Sequence, residues 1–315
     1  MISFLDFEKP IADLEARIAE LRATAENGQL DIASEIDKLE KKSAALLKST
    51  YAKLSPWQKT QVARHPQRPH FLDYVDHMFE DFMPLGGDRR FGEDEAILGG
   101  PARLNGRKVM LIGHEKGHDT ASRLKHNFGM GKPEGYRKAV RLMEMAGKFG
   151  LPVITLVDTA GAFPGVEAEE RGQSEAIARS TEACLSLPVP MVAVIVGEGG
   201  SGGAVAIASG ERVLMLEHAV YSVISPEGAS SILWRTPDKA ADAAEAMKVT
   251  AQDLLSLGVI DRIVPEPLGG AHRDVTATAS ALASAIGEEL DDLSGLAPAE
   301  LTARREERFL RIGRG

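Results

Sequence analysis

A single cysteine, Cys184, stands in 315 residues, so no intrachain disulfide can form and a reducing, cytoplasmic setting is expected. No apolar run approaches the roughly 18 residues of a membrane-spanning segment, and no membrane association is expected. The opening MISFLDFEKPIADLEARI lacks a basic start, an apolar centre and a small-residue cleavage site, so no secretion signal is expected. A P-loop pattern is missing too, which leaves nothing to suggest that ATP binds here. The net charge of −9 argues against a general nucleic-acid binder.

What is present suffices for a sizeable core: 43% of the residues are hydrophobic, and the length suggests one large domain or a core with appendages. Residues 1–96 read as an N-terminal helical arm and connector. Ile11, Leu14, Ile18 and Leu21 recur at helical steps, NGQ at 27–29 breaks the pattern, and Ile32, Ile36 and Leu39 resume it. The apolar seam is narrow, so this hairpin should pack on something else. Pro66, Pro69 and Pro84 cut the connector over 57–90 into short helical pieces.

Residues 97–265 change character. RKVMLIGHEKG, LPVITLVDTAGAFPG and VPMVAVIVGEGGSGG each run from an apolar strand into a glycine-bearing loop, and ERVLMLEHAVYSVISPEG adds further short strands. Pro152 and Pro190 introduce equivalent strands 38 residues apart, which predicts an α/β core of repeated strand-loop-helix units. A helix is predicted over 167–186 with Ala176, Ile177, Ser180, Ala183, Cys184 and Leu187 on one side, making Cys184 a small buried hydrophobe rather than a nucleophile. Residues 266–315 read as C-terminal helices, peripheral and fraying.

GEGGSGG, residues 197–203, gives up five side chains in seven positions, and three chemistries compete for it. Gly197, Gly199 and Gly202 fit a dinucleotide fingerprint with Glu217 twenty residues beyond Gly197, but GAVAIASGE is too short for the crossover helix that fold requires. Gly199 to Gly203 also fit the G-x-S-x-G nucleophile elbow, with Asp261 and His272 following in hydrolase order, though nothing in the sequence delivers either to Ser201. Ser201 equally reads as a helix N-cap. The third chemistry uses the backbone: N–H groups at a helix N-terminus aim at developing negative charge, and glycine lets a ligand approach where a Cβ would block it. DTAGAFPG, 158–165, offers a second loop whose main chain around Gly161 and Ala162 faces the same cleft. Such a pair suits enolate or thioester chemistry with no side-chain base.

GEGGSGGAVAIASGERVLMLEHAVYSVISPEGASSILW, VDTAGAFPGVEAEERGQSEAIARS, KHNFGMGKPEGYRKA and FLDFEKPIADLEARI together resemble the alpha subunits of bacterial acetyl-coenzyme A carboxylase carboxyltransferases over nearly the whole chain. The resemblance implies a crotonase-like (ClpP/crotonase) core flanked by the helical arm and tail. It implies transfer of a carboxyl group from carboxybiotin, carried on a biotin carboxyl carrier protein, to acetyl-CoA, giving malonyl-CoA for fatty-acid biosynthesis. It further implies a zinc-bearing beta subunit in an α2β2 heterotetramer, an ATP-using biotin carboxylase in the wider complex, and no cofactor bound tightly by this chain. On the matching residues, Gly202 and Gly203 would hold the ureido oxygen of biotin, with Gly161, Ala162, Gly199, Gly200 and Ser201 around the substrate. The alternatives are a serine hydrolase using Ser201 and a non-catalytic scaffold subunit.

Other candidates lie outside the glycines. Residues 103–141 carry ten Lys and Arg against three acids, a local excess of positive charge. This is either a solvated face or a docking surface on which Lys132 and Arg137 attract CoA phosphates or the acidic carrier. Ser225-Pro226-Glu227-Gly228 is a strong helix start, and Glu227 is the acid beside the cleft most worth testing, whereas Glu198 is given a structural role. His114, His118 and His126 with Glu115 and Asp119 invite a metal site, but Gly113 and Gly117 favour a loop over a shared helix face, so no metal is assigned to this chain.

Overall fold

A computed structural model describes residues 3–26 and 33–314. Its centre is a sheet of β1 (Phe79–Glu80), β2 (Ile97–Leu104), β3 (Arg107–His114), β4 (Val153–Thr159), β5 (Met191–Gly200), β6 (Arg212–Leu216), β7 (Val220–Ser222) and β8 (Arg262–Val264). The order is β1-β2-β3-β4-β5-β6-β8, with β7 joined to the far end of β5. β1 to β3 form an antiparallel meander, and every later pairing is parallel. β4 and β5 are buried along their whole length, which explains why VITLV and MVAVIV read as continuous apolar runs without alternation.

The expected repeat is visible in the register: Val153 pairs with Met191 and Ile154 with Val192, so the strands that Pro152 and Pro190 introduce are direct neighbours. The helices Pro133–Phe149 and Gln173–Ser186 pack together beside them, and the short helix Ser201–Ala208 lies against β4 and β5. Cys184 is fully buried, and burial pushes its thiol up to about 12.

The arm forms helices Lys9–Glu26 and Ala33–Tyr51; the NGQ break and Ile32 lie outside the described residues. Its seam does find a partner. Tyr51 donates to Glu8 Oε1 at 2.9 Å and packs edge-on to His218, and Arg273 reaches Glu15 at 2.9 Å. The connector supplies helices Pro56–Ala63 and Phe71–Met78, both clear of the three prolines, and also the edge strand β1.

Two expectations fail. The helix over 167–186 is two helices, Val166–Glu170 and Gln173–Ser186, because Gly172 adopts a left-handed conformation (φ 80°) between them. The tail is not frayed either: helices Val275–Leu293 and Pro298–Arg311 bury Leu282, Ile286, Leu290 and Leu301. Arg305 is wholly buried and donates to the carbonyls of Cys184, Leu187 and Val189 at 2.6–2.8 Å and to Glu211 at 2.5 Å. A composition rich in Ala and charge hides this, since a buried Arg reads in sequence like any surface Arg.

Candidate active site

β4 and β5 are parallel neighbours, so their carboxyl ends emerge on the same edge of the sheet, and both glycine loops start there. Gly200 caps the helix Ser201–Ala208 in extended conformation. A Cβ on Gly200 would run into the backbone of Ala160, and one on Gly203 would fall 2.6 Å from the Gly161 carbonyl carbon and 2.7 Å from the Ala162 nitrogen. Both substitutions are excluded by backbone, which cannot swing aside as a side chain can. The glycines therefore serve first to bring the two turns into contact.

The leading N–H groups of a helix have no intrahelical acceptor. Among the described residues no hydrogen bond takes the N–H of Gly202 or Gly203. Gly202 is partly exposed, and a Cβ added there would meet only Ile177, at 3.4 Å, so it presents the more open donor; Gly203 is buried against the other turn. On that turn Gly161 already donates to Thr159 Oγ1 at 3.1 Å, and Thr159 Oγ1 donates back to Gly161 O at 2.7 Å. The Gly161 N–H is thus spent on fixing the loop, and Ala162 carries the remaining donor.

Ser201 does not cap the helix as expected. It occupies the first helical position with φ +53°, is exposed, and its hydroxyl makes no hydrogen bond among the described residues. A non-glycine residue held there stores strain of about 1–3 kcal/mol, a frequent property of functional turns. The hydrolase partners are engaged elsewhere: Asp261 Oδ2 accepts from Val213 N and from Arg308, and His272 stacks on His65 with 3.7 Å between ring centres. Burial and the neighbouring cations hold His272 down to about 3, so it stays neutral. Glu217, the acid of the dinucleotide reading, accepts the Glu266 N–H instead of facing the glycines.

Beside the turn opens an apolar cavity of about 520 Å³, bounded by Ser201, Gly202, Val205, Tyr221, Val223 and Phe309. Tyr221 sits on β7 opposite Gly199, whose missing side chain leaves room for the ring. The helix Pro226–Trp234 starts as expected, with the Ser225 hydroxyl accepting from Gly228 N at 3.1 Å. Glu227 is bound by Arg64 at 2.6 Å; burial works against its ionisation, but the guanidinium prevails and keeps its pKa low. Arg64 also binds Glu198, consistent with a structural role for that acid. The roles of Arg64 and of Asp158, a buried carboxylate packed against Gly197, are not signalled by periodicity: Arg64 stands two residues before Pro66 in ARHPQRP, and Asp158 follows the apolar run VITLV.

The positive stretch is not an open basic face. Acidic residues from elsewhere in the chain interdigitate with it: Arg103 with Asp81, Lys116 with Asp158, Lys125 with Glu95, Lys138 with Glu93. Arg137 is held by Asp88 at 3.3 Å and by the Arg171 carbonyl. Lys132 caps the helix Pro133–Phe149, its ammonium 4.7 Å from the Phe163 ring centre on the second glycine loop, with Glu167 at 3.7 Å.

The three histidines of the metal reading do not converge. His114 ends β3, buried and held neutral at a pKa of about 4 by burial, and His126 Nδ1 donates to the Glu95 carbonyl at 2.6 Å. His118 stands instead beside His70 and Asp73, whose donor atoms lie within 4.8 Å of one another. Asp73 Oδ2 accepts the His70 backbone N–H at 2.7 Å and pairs with His118 Nε2 at 3.0 Å, while the buried His70 Nδ1 has no hydrogen-bond partner among the described residues. Among the described residues, no helix is long and apolar enough to cross a membrane.

Residues 4–313 match the family model described as acetyl co-enzyme A carboxylase carboxyltransferase-like. The chain is 75% identical over 313 residues to the acetyl-coenzyme A carboxylase carboxyl transferase subunit alpha of Erythrobacter litoralis, covering 99% of this chain and 100% of that protein. It is 65% identical to the protein of the same description from Zymomonas mobilis, with the same coverage of both. Among solved structures, transcarboxylase 12S superposes with a TM-score of 0.59 at 18% identity, over 72% of this chain and 42% of the larger one. The Pseudomonas malonate decarboxylase hetero-dimer superposes with a TM-score of 0.57 at 20% identity, over 70% of this chain and 92% of its own. These likenesses establish a carboxyltransferase fold of the crotonase type.

Proposed function

Because this chain belongs to the acetyl-CoA carboxylase carboxyltransferase family, we propose that its two glycine turns form the oxyanion site of a carboxyl transfer. The chain is a carboxyltransferase alpha subunit related to biotin-dependent enzymes, and such a subunit works with a beta subunit. In our reading the two assemble as α2β2, zinc resides in the beta subunit, and a biotin carboxyl carrier protein presents carboxybiotin made by a biotin carboxylase. The setting is the cytoplasm. Residues 97–265 carry the chemistry, with 1–96 and 266–315 serving assembly.

The observation that carries this reading is the contact of the two turns. Gly203 packs directly on the backbone of Gly161 and Ala162, and the N–H groups of Gly202, Gly203 and Ala162 have no hydrogen-bond acceptor among the described residues; in our reading they face one oxyanion. When the carboxyl group leaves the biotin nitrogen, charge builds on the ureido oxygen, and fixed donors there stabilise it more in the transition state than in the ground state. Gly199, Gly200 and Ser201 shape the approach; Gly161 acts by fixing its loop. The biotin nitrogen freed of its carboxyl group removes the acetyl α-proton, so no protein base is required. Glu227 borders the cleft through Arg64, and Lys132, beside Phe163, is better placed than the internally paired Arg137 to meet CoA phosphates or the carrier.

The test is malonyl-CoA decarboxylation dependent on biocytin, measured for this chain alone and with the beta subunit from the same source. Activity confined to the mixture is expected. Silence in a mixture proven to assemble would remove the assignment.

A further inference from the structure

β4 and β5 keep strict register from Val153 with Met191 to Val157 with Ile195, and then lose it: Thr159 pairs with Gly199. Val196 to Glu198 on β5 are thus set against Asp158 alone on β4. Such bulges bend a strand and re-aim the residues beyond it. This one is filled by charge. The Asp158 carboxylate occupies the place of the missing Gly197 side chain, accepts the Glu198 N–H at 2.8 Å and holds the Lys116 ammonium at 3.0 Å. Burial disfavours the Asp158 anion, yet the Lys116 charge and these hydrogen bonds outweigh it and keep the carboxyl below its usual range.

The Glu198 side chain leaves the bulge and meets Arg64, whose Nε and Nη2 donate to one carboxylate oxygen at 3.0 and 2.5 Å. Nη1 of the same guanidinium reaches Glu227 at 2.6 Å. Glu198 lies two residues before Gly200, and Glu227 lies in the first turn of the helix after β7, the strand paired with Glu198 to Gly200. Arg64 therefore joins both walls flanking the glycine turn. The polar hollow of about 220 Å³ beside it also holds His65, His70, Lys116, Arg123 and Asp158.

We propose that Arg64 is a positioning residue for carboxyl transfer: by neutralising the Glu198–Glu227 pair it fixes the bulged end of β5, and so the spacing of Gly202 and Gly203 from Gly161 and Ala162. This rests on the reading of the turns as the oxyanion site. A turn made of glycines has no side chains with which to anchor itself, so its place must be set from its base. The clearance at Gly203 leaves no slack, and a misplacement of about 1 Å costs on the order of 100-fold in rate. Without the guanidinium, two neighbouring carboxylates repel until one takes a proton.

The experiment uses the assembled complex with the beta subunit and biocytin-dependent malonyl-CoA decarboxylation. Arg64→Met should lower kcat by about 10- to 100-fold while KM for malonyl-CoA holds steady. The deficit should shrink as the pH is lowered from about 8 to about 6, as a proton shared by the two carboxylates replaces the cation. Arg64→Lys should recover part of the rate, and so should adding Glu198→Gln to Arg64→Met. Wild-type turnover in Arg64→Met overturns the proposal, as does a pH-independent loss that neither Arg64→Lys nor Glu198→Gln relieves. If Arg64→Met fails to assemble, Arg64→Lys decides: a partial loss of kcat at steady KM is expected, and wild-type turnover overturns the proposal. A wild-type complex that is itself inactive with biocytin is a separate failure, that of the oxyanion reading.

Discussion

β5 is anchored by an arginine–glutamate pair at each end, and the two ends differ in what they leave unsatisfied. At its start, Glu211 accepts the Met191 N–H at 2.8 Å and Arg305 fills the space around it, both side chains at most 1% exposed. That guanidinium takes up the last carbonyls of the helix Gln173–Ser186 and closes this end with its own bulk. At its finish, Arg64 and Glu198 remain 28% and 9% exposed, and the helix beyond keeps free N–H groups. One end is closed by a large side chain and the other is held open by missing ones. A strand buried along its whole length thus ends where free backbone donors begin, which is where our reading places the chemistry.

The comparison predicts that damage to the start costs stability and damage to the finish costs rate. Arg305→Ala strands the buried Glu211 charge and should lower unfolding free energy by about 3–5 kcal/mol, read by denaturant titration, while the folded fraction keeps its turnover. Gly203→Val should lower turnover by about 10²- to 10³-fold. It should also melt lower, because the new side chain meets the backbone of Gly161 and Ala162 with no room to relax. Gly202→Ala, which meets only Ile177 at 3.4 Å, should leave the melting temperature unchanged and separate the two glycines.

Acid sharpens the contrast. The finish of β5 also rests on Arg68, which donates to the Val196 carbonyl at 2.8 Å and is paired with Glu266. Burial opposes ionisation of Glu266, but Arg68 prevails and lowers its pKa from 4.5 to about 2. His272, neutral in the fold, is lowered from 6.5 to about 3, chiefly by burial. Both folded values lie below the unfolded ones, so their stabilisation is present at pH 7. That of His272 fades as pH falls below about 6.5, and that of Glu266 below about 4.5, the latter amounting to about 3 kcal/mol. Equilibrium unfolding between pH 7 and 3 should show this progressive loss. The smallest effect is expected at Cys184→Ala, about 1 kcal/mol of stability with unchanged turnover.

Much of this is legible in the sequence because it is written in local pattern. The apolar strands, the spacing of Pro152 and Pro190, the serine-proline-glutamate helix start and the two glycine loops all carry their geometry within a few residues. What escapes depends on distant partners. Gly172 reads as part of one helix because Ala176, Cys184 and their neighbours keep helical spacing past it. Arg305 looks like surface charge, since only its contact with Cys184, Leu187 and Val189 shows where it sits. The excess of positive charge over 103–141 is partly offset for the same reason, acids coming from Asp81, Asp88, Glu93 and Asp158. At the site itself the glycines stand out in the sequence, but nothing there announces the Thr159 bond that spends the Gly161 donor.

The central claim is that backbone, with no nucleophilic side chain, carries the chemistry at GEGGSGG. Its most direct test is biocytin-dependent malonyl-CoA decarboxylation by the assembled complex carrying Ser201→Ala or Gly203→Val. Alanine keeps the backbone N–H, so Ser201→Ala should stay within about threefold of wild type, whereas Gly203→Val should fall by at least about 100-fold. A silent Ser201→Ala beside an active Gly203→Val would contradict the account.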